Sequence, residues 1–241
     1  MTPYYDDGRG IVIYHGDCRD VLPYLSGDAI VTDPPYGIKF DRATWGDDPE
    51  NYPQLIRWLV KEASRCVPNG WCFVFQAMPN VSRFSAWFPD GWRIYAACKN
   101  FAQIRPTVWH SWDPVIFWAN GQAFHGKELN RDYYVGNVAG VFADGNGHPC
   151  PKPLDTMRHI VSIASAPGAT VLDPFMGSGT TLVAAKQLGR RAIGIEIEAR
   201  YCEIAAQRVE EAALPLFDKA PEATQALFEF QTGVNDAGTR A

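Results

Sequence analysis

Val31-Thr32-Asp33-Pro34-Pro35-Tyr36-Gly37 is the stretch around which this chain is organised, read together with Asp173-Pro174-Phe175-Met176-Gly177-Ser178-Gly179-Thr180. Ahead of the first runs Asp28-Ala29-Ile30-Val31-Thr32, a short apolar segment that reads as a buried strand. Two prolines stop it. Proline fixes its own φ, has no N–H to donate, and pushes the preceding residue out of the helical region. The strand therefore ends in a rigid, extended corner with Asp33 at its carboxyl tip. A carboxylate, a carbonyl and the ring of Tyr36 are fixed within four residues, at the edge where open α/β sheets bind ligands. Asp-Pro alone would be an ordinary turn. Asp-Pro-Pro-Tyr after an apolar strand, in a chain with a glycine-rich strand-to-helix turn, points to a site.

The second stretch supplies that turn. Thr170-Val171-Leu172 reads as a strand, Gly177 and Gly179 let backbone approach a ligand, and the helix that follows from Thr180 to Leu188 offers N–H groups at its start. The turn lacks the Gly-Lys-Ser/Thr ending of a P-loop, and G-x-G-x-x-G is not present. The next strand, Arg191 to Ile195, ends at Glu196, an acid placed to accept hydrogen bonds from the two hydroxyls of a ribose. A glycine turn followed about 20 residues on by a strand-tip acid implies a nucleoside-type cofactor.

Working outward, Ile11–Tyr14 reads as a strand ending at Gly16-Asp17-Cys18, with a short helix over 19–25. Asp17 thus stands at a strand tip, as a helix N-cap, a ligand contact or both. Residues 1–10 read as a loose lead-in. The polar segment 39–53 reads as a long loop beside the corner, of the kind that forms mobile lids. Apolar residues at 55, 56, 59, 60 and 63 predict a helix over 52–66, and Trp71–Phe75 a further buried strand. Alternating strands and helices imply a parallel sheet. Apolar positions 154, 157, 160, 161 and 164 predict another helix, and 199–213 a last one.

Between about 76 and 147 the character changes. Trp87, Trp92, Trp109, Trp112 and Trp118 are interleaved with Arg83, Arg93, Lys99, Arg105, Lys127 and Arg131, among short β-like runs at 93–97 and 115–118. Such mixtures stack bases and hold phosphates. They equally make a core with a solvated rim, which is the expectation for most of these tryptophans.

Composition sets the frame. With 241 residues, 46% hydrophobic and 20% charged, the chain can bury a full core as one large domain. No apolar run approaches the roughly 18 residues of a membrane span, and the N-terminus lacks a signal-peptide pattern, so the expected location is the cytoplasm. Six scattered cysteines without C-x-x-C and five histidines without ligand spacing signal neither a disulfide framework nor a metal site. A net charge of −5 places any phosphate contact in a local basic patch.

Asp33-Pro34-Pro35-Tyr36 and Asp173-Pro174-Phe175-x-Gly177-x-Gly179-Thr180 resemble the catalytic and cofactor motifs of the amino-group DNA methyltransferases, and His148-Pro149-x-x-Lys152-Pro153 resembles the segment before the cofactor motif. The catalytic motif comes first, an order similar to that of the circularly permuted beta class. The resemblance covers about residues 11–75 and 148–210. It implies an α/β, Rossmann-like S-adenosylmethionine-dependent methyltransferase fold: a catalytic half over 1–77, a target-recognition-like insertion over 78–147, a cofactor-binding half over 148–213 and a flexible tail over 214–241.

The same resemblance implies the roles. Asp173, Phe175, Gly177, Ser178, Gly179 and Thr180 would cradle the methionine part of S-adenosylmethionine, with Lys152 near its carboxylate. Glu196 would hold the ribose, Asp17 and Cys18 would flank the adenine, and Asp33 would adjoin the cofactor. The substrate would be a base flipped out of double-stranded DNA at Asp33, Pro34, Pro35 and Tyr36, in modification of the kind found in restriction–modification systems. Asp at position 33 favours adenine N6 over cytosine N4; an RNA or protein amino-methyltransferase, or a binding module without catalysis, are the other classes. Transfer to an amine needs no covalent enzyme intermediate, so Cys150 is read as a small buried residue. Some beta-class members act as dimers, which allows a homodimer here. In the tail, Leu214-Pro215-Leu216-Phe217 resembles peptides that dock on bacterial sliding clamps, with Ala213 where such peptides usually carry Gln; an apolar tether on the core is the favoured reading.

Overall fold

A computed structural model describes residues 1–37, 48–103, 110–126, 131–136 and 152–212. The expectations for the first part of the 39–53 loop, for Arg105, Trp109 and Lys127, for His148 to Pro151 with Cys150, and for the tail from Ala213 onward fall outside the described residues.

Among the described residues nine strands form one sheet: β1 (Tyr5–Asp6), β2 (Ile11–His15), β3 (Ala29–Thr32), β4 (Gly70–Phe75), β5 (Arg93–Gln103), β6 (His110–Asn120), β7 (Tyr133–Gly136), β8 (Thr170–Asp173) and β9 (Arg191–Glu196), in spatial order β1-β2-β9-β8-β3-β4-β6-β5-β7. The five from β2 to β4 are parallel, as the alternation of strands and helices predicts. Helices α1 (Cys18–Val21), α2 (Tyr52–Cys66), α3 (Met78–Phe84), α4 (Leu154–Ala164), α5 (Thr180–Gln187) and α6 (Ala199–Glu211) cover its two faces.

The strand period of two sorts the core. Ala29, Val31, Phe73, Phe75, Val171 and Ala192 belong to the cluster packed under α4, α5 and α6. Ile30, Cys72, Val74, Leu172 and Ile195 belong to the opposite cluster, under α1 and α2. Strands buried on both faces are near-continuous hydrophobic runs for this reason, and each fully buried Ile or Leu contributes about 1.5–3 kcal/mol. Among the described residues no helix is long and apolar enough to cross a membrane.

Chain direction positions the site. From β3 the chain leaves through α2 to β4 on one side; from neighbouring β8 it leaves through α5 to β9 on the other. The point where connections diverge opens a crevice at the carboxyl tips of the two strands. Those tips carry Asp33 and Asp173.

One expectation is corrected. Residues 1–10 are not loose: β1 pairs antiparallel with β2, and Asp7 Oδ1 accepts from the Arg9 and Ile11 amides to close the turn between them. The segment after residue 77 adds strands to the same sheet. β6 pairs antiparallel with β4 from Gly70–Asn120 to Phe75–Val115, and β5 and β7 extend the same sheet. Trp118 and Tyr95 are fully buried, and Trp87 and Trp92 pack on the α2-side cluster. Aromatic residues beside arginines here serve mainly to continue the core.

Candidate active site

The Asp33 corner is held from four directions. The Tyr36 hydroxyl donates to Asp33 Oδ1, and the Lys152 ammonium to Asp33 Oδ2. Buried Asn80, at the start of α3, donates from Nδ2 to the Tyr36 carbonyl at 2.9 Å. Behind it, the Tyr52 hydroxyl bonds the Gln76 side chain, both residues buried. One residue before the corner, Thr32 Oγ1 donates to Asp173 Oδ1 at 2.6 Å, tying β3 to β8 at their tips.

Asp173 also receives the Phe175 amide at 3.2 Å and the Thr181 side chain. Burial lifts its carboxyl to about 6 even against these bonds, which favour the ion. The folded value stands above the ordinary carboxylate value near 3.9, so the folded chain holds this proton more tightly than the unfolded one. Stability from that preference is full below about pH 4 and is lost as pH rises through about 6. Asp173→Asn keeps the shape but cannot ionise. We expect its stability relative to wild type to improve by about 2–3 kcal/mol between pH 4 and pH 7, measured by chemical unfolding at both; a difference that does not change with pH contradicts this reading of Asp173.

The glycine turn is built from both sides. Gly179 caps α5 in the left-handed region at φ 79°, and Gly177 also has positive φ. Glu196 Oε2 accepts from Gly177 N at 3.0 Å while Oε1 accepts from Glu198 N at 2.8 Å, so the strand-tip acid anchors the turn. Burial raises the Glu196 pKa against backbone hydrogen bonds from Glu198, Gly177 and Ile197. From α6, Arg208 donates to the Ser178 carbonyl at 2.7 Å, to Ser178 Oγ at 2.9 Å and to Thr180 Oγ1 at 3.2 Å. The Ser178 and Thr180 hydroxyl oxygens thus both accept from α6.

Asp17 and Cys18 lie beside Glu196, because His15 pairs with Glu196 and the Gly16 amide donates to the Glu196 carbonyl at 2.9 Å. Asp17 is the N-cap of α1: Oδ1 accepts from Arg19 N at 2.9 Å, and the Arg19 guanidinium, hydrogen-bonded to its carboxylate, lowers its pKa. Cys18 is buried, and burial pushes its thiol up. Phe175 is half-buried against the α2-side cluster.

The sequence-predicted residues thus converge on one edge, with one placement that differs in emphasis: Lys152 sits against Asp33. Asn80, Thr32 and Arg208 were not singled out from sequence. Nothing local marks them, since each acts through a partner on another element.

A family model described as DNA methylase matches residues 107–207. A chain of Escherichia coli (strain K12) named as a methylase, YubD, is 32% identical over 212 residues, spanning 80% of this chain and 88% of that one. The type II methyltransferase M2.DpnII of Streptococcus pneumoniae is 28% identical over 256 residues, 86% of this chain and 92% of its own. Among solved structures, a complex of M1.HpyAVI with SAM superposes with a TM-score of 0.66 at 29% identity, covering 82% of this chain and 98% of that one. The cytosine-N4-specific PvuII DNA methyltransferase shares the fold, with a TM-score of 0.65 at 16% identity over 83% of this chain and 86% of that one.

Proposed function

The chain belongs to the amino-group (N6/N4) DNA methyltransferases, and on that premise we propose that it methylates the N6 amine of an adenine flipped out of double-stranded DNA, with S-adenosylmethionine as methyl donor. The observation that carries the reading is the meeting of two built strand tips, Asp33 on β3 and Asp173 on β8, bridged by Thr32 at the sheet's switch point.

The residues fit the cofactor. Glu196 is a carboxylate already oriented by two backbone amides, with lone pairs left for a diol. Asp173 and the backbone of Phe175, Gly177, Ser178, Gly179 and Thr180 form a turn closed over the start of α5, suited to the polar methionine end. Asp17 and Cys18 lie next to Glu196, for the adenine ring. Bound S-adenosylmethionine supplies an electrophilic sulfonium methyl.

The chain's own residues prepare the nucleophile. An exocyclic amine is weakly nucleophilic because its lone pair is delocalised into the ring. Asp33 and the Pro34 carbonyl are set to accept one amine hydrogen each. That draws the nitrogen toward tetrahedral geometry and localises its lone pair. The prolines hold both acceptors at fixed separation, and orientation of this kind supplies much of the rate. The Tyr36 ring, fixed by its hydroxyl and carbonyl, packs on the extruded base.

Cytosine N4 is the second reading, favoured by the fold shared with a cytosine-N4 enzyme. Asp at position 33 favours adenine. Digestion of treated DNA to nucleosides decides between them: we expect N6-methyladenine, and N4-methylcytosine as the product overturns the choice of base.

A further inference from the structure

Asp33 is not a bare acceptor. Oδ1 holds the Tyr36 hydroxyl, and Oδ2 holds the ammonium of Lys152, which also lies 3.4 Å from the Tyr36 oxygen. Lys152 arrives from just before α4, and its Nζ stands over the rings of Phe75, at 5.0 Å, and Tyr36, at 5.7 Å. The two side chains are 12% and 29% exposed, so the pair is largely withdrawn from water.

This pairing opposes the role proposed for Asp33. A carboxylate neutralised by an ammonium is a poorer acceptor for a neutral amine, because the charge-assisted bond is the stronger one. A neutral aromatic amine does not displace an ammonium. A second carboxylate can, since it offers Lys152 an equivalent partner. The proposed methyl donor brings a carboxylate to this sheet edge.

We infer that Lys152 is a shared cation: it is the partner of Asp33 and transfers to the cofactor's carboxylate on binding, so that cofactor loading frees Asp33 for the target amine. This rests on the cofactor reading above. Lys152 is a positioning residue in this scheme, and it imposes an order in which cofactor precedes a productive base. The exchange breaks one ion pair and forms another, with no proton moved.

The test measures binding at equilibrium, without DNA, for S-adenosylmethionine and for decarboxylated S-adenosylmethionine. Asp33→Asn keeps the shape and removes the competing charge. It should tighten S-adenosylmethionine by about three- to tenfold, within the range of a partly exposed ion pair, and leave the decarboxylated compound within about twofold. In a Lys152→Gln background the effect of Asp33→Asn should vanish. Unchanged or weaker binding by Asp33→Asn, equal tightening of both compounds, or tightening that persists without Lys152 each overturns the exchange. Release of Asp33 by DNA instead would appear as unchanged cofactor affinity. Should Lys152→Gln fail to fold, the comparison of the two compounds on Asp33→Asn still decides. Wild-type protein that binds neither compound refutes the cofactor reading itself, a result distinct from all of these.

Discussion

We expect Asp33→Asn to lower methyl transfer in single turnover by about 10²–10⁴-fold, the range for losing one preorganised polar group at a reacting centre. Asn preserves volume but replaces one acceptor oxygen with an N–H₂ group. The Tyr36 hydroxyl holds the remaining oxygen, so the N–H₂ group faces the amine hydrogen that must be accepted. Asp33→Ala removes the acceptor outright and falls in the same range. We expect neither variant to lose cofactor affinity, because the turn proposed to carry the cofactor hangs from Glu196, Arg208 and Asp173, not from Asp33. Single-turnover rates beside equilibrium cofactor binding check this. A parallel loss of binding and transfer would mean that Asp33 is a cofactor residue, and the amine would need another acceptor.

Gly179→Ala is the most damaging single methyl group we expect in the cofactor half. At φ 79° a Cβ meets the left-handed penalty of about 1–2 kcal/mol. It would also lie 2.7 Å from Ala205 Cβ and 3.2 Å from Ala205 Cα, closer than packed carbons approach. Ala205 is fully buried on α6, so the turn must move instead. We expect a loss of about 2–4 kcal/mol in stability and of about 30-fold or more in cofactor affinity, since about 2 kcal/mol of misplacement suffices for that. Gly189 is the control. It shares the conformation, at φ 68°, but has nothing within 4 Å of an added Cβ. Gly189→Ala should cost the backbone penalty alone and leave cofactor binding intact. Equal effects at the two positions would show that the Ala205 contact is unimportant.

What was legible in the sequence is what local chemistry controls. Two prolines stop β3 at Asp33, two glycines turn β8 into α5, and the period of two buries Ile30 on one face and Val31 on the other. From these the order of tips, the parallel half-sheet and the cluster of Asp33, Asp173 and Glu196 follow. The family resemblance added the roles. What was not legible depends on distant partners. Lys152 and Asp33 are 119 residues apart, and no periodicity reports their ion pair. Arg208 reads as one more charge on an amphipathic helix, yet it clamps Ser178 from behind. The region after Phe75 reads as an insertion with short β-like runs at 93–97 and 115–118, and nothing local says which edge those runs join. The β4–β6 pairing places them on the sheet, where Trp118 packs against Phe88. Tyr5 and Asp6 were too short a run to read as a strand until Asp7 closed the turn that pairs them with β2.

The central claim is that the Asp33 corner prepares an amine on DNA. Methyl transfer from labelled S-adenosylmethionine, with unmethylated genomic DNA, RNA and protein offered as separate acceptors to the wild-type chain, tests it most directly. Label in DNA, recovered on a nucleobase amine and absent from the other two, is the expected result. Label in RNA or protein while DNA stays blank would contradict it.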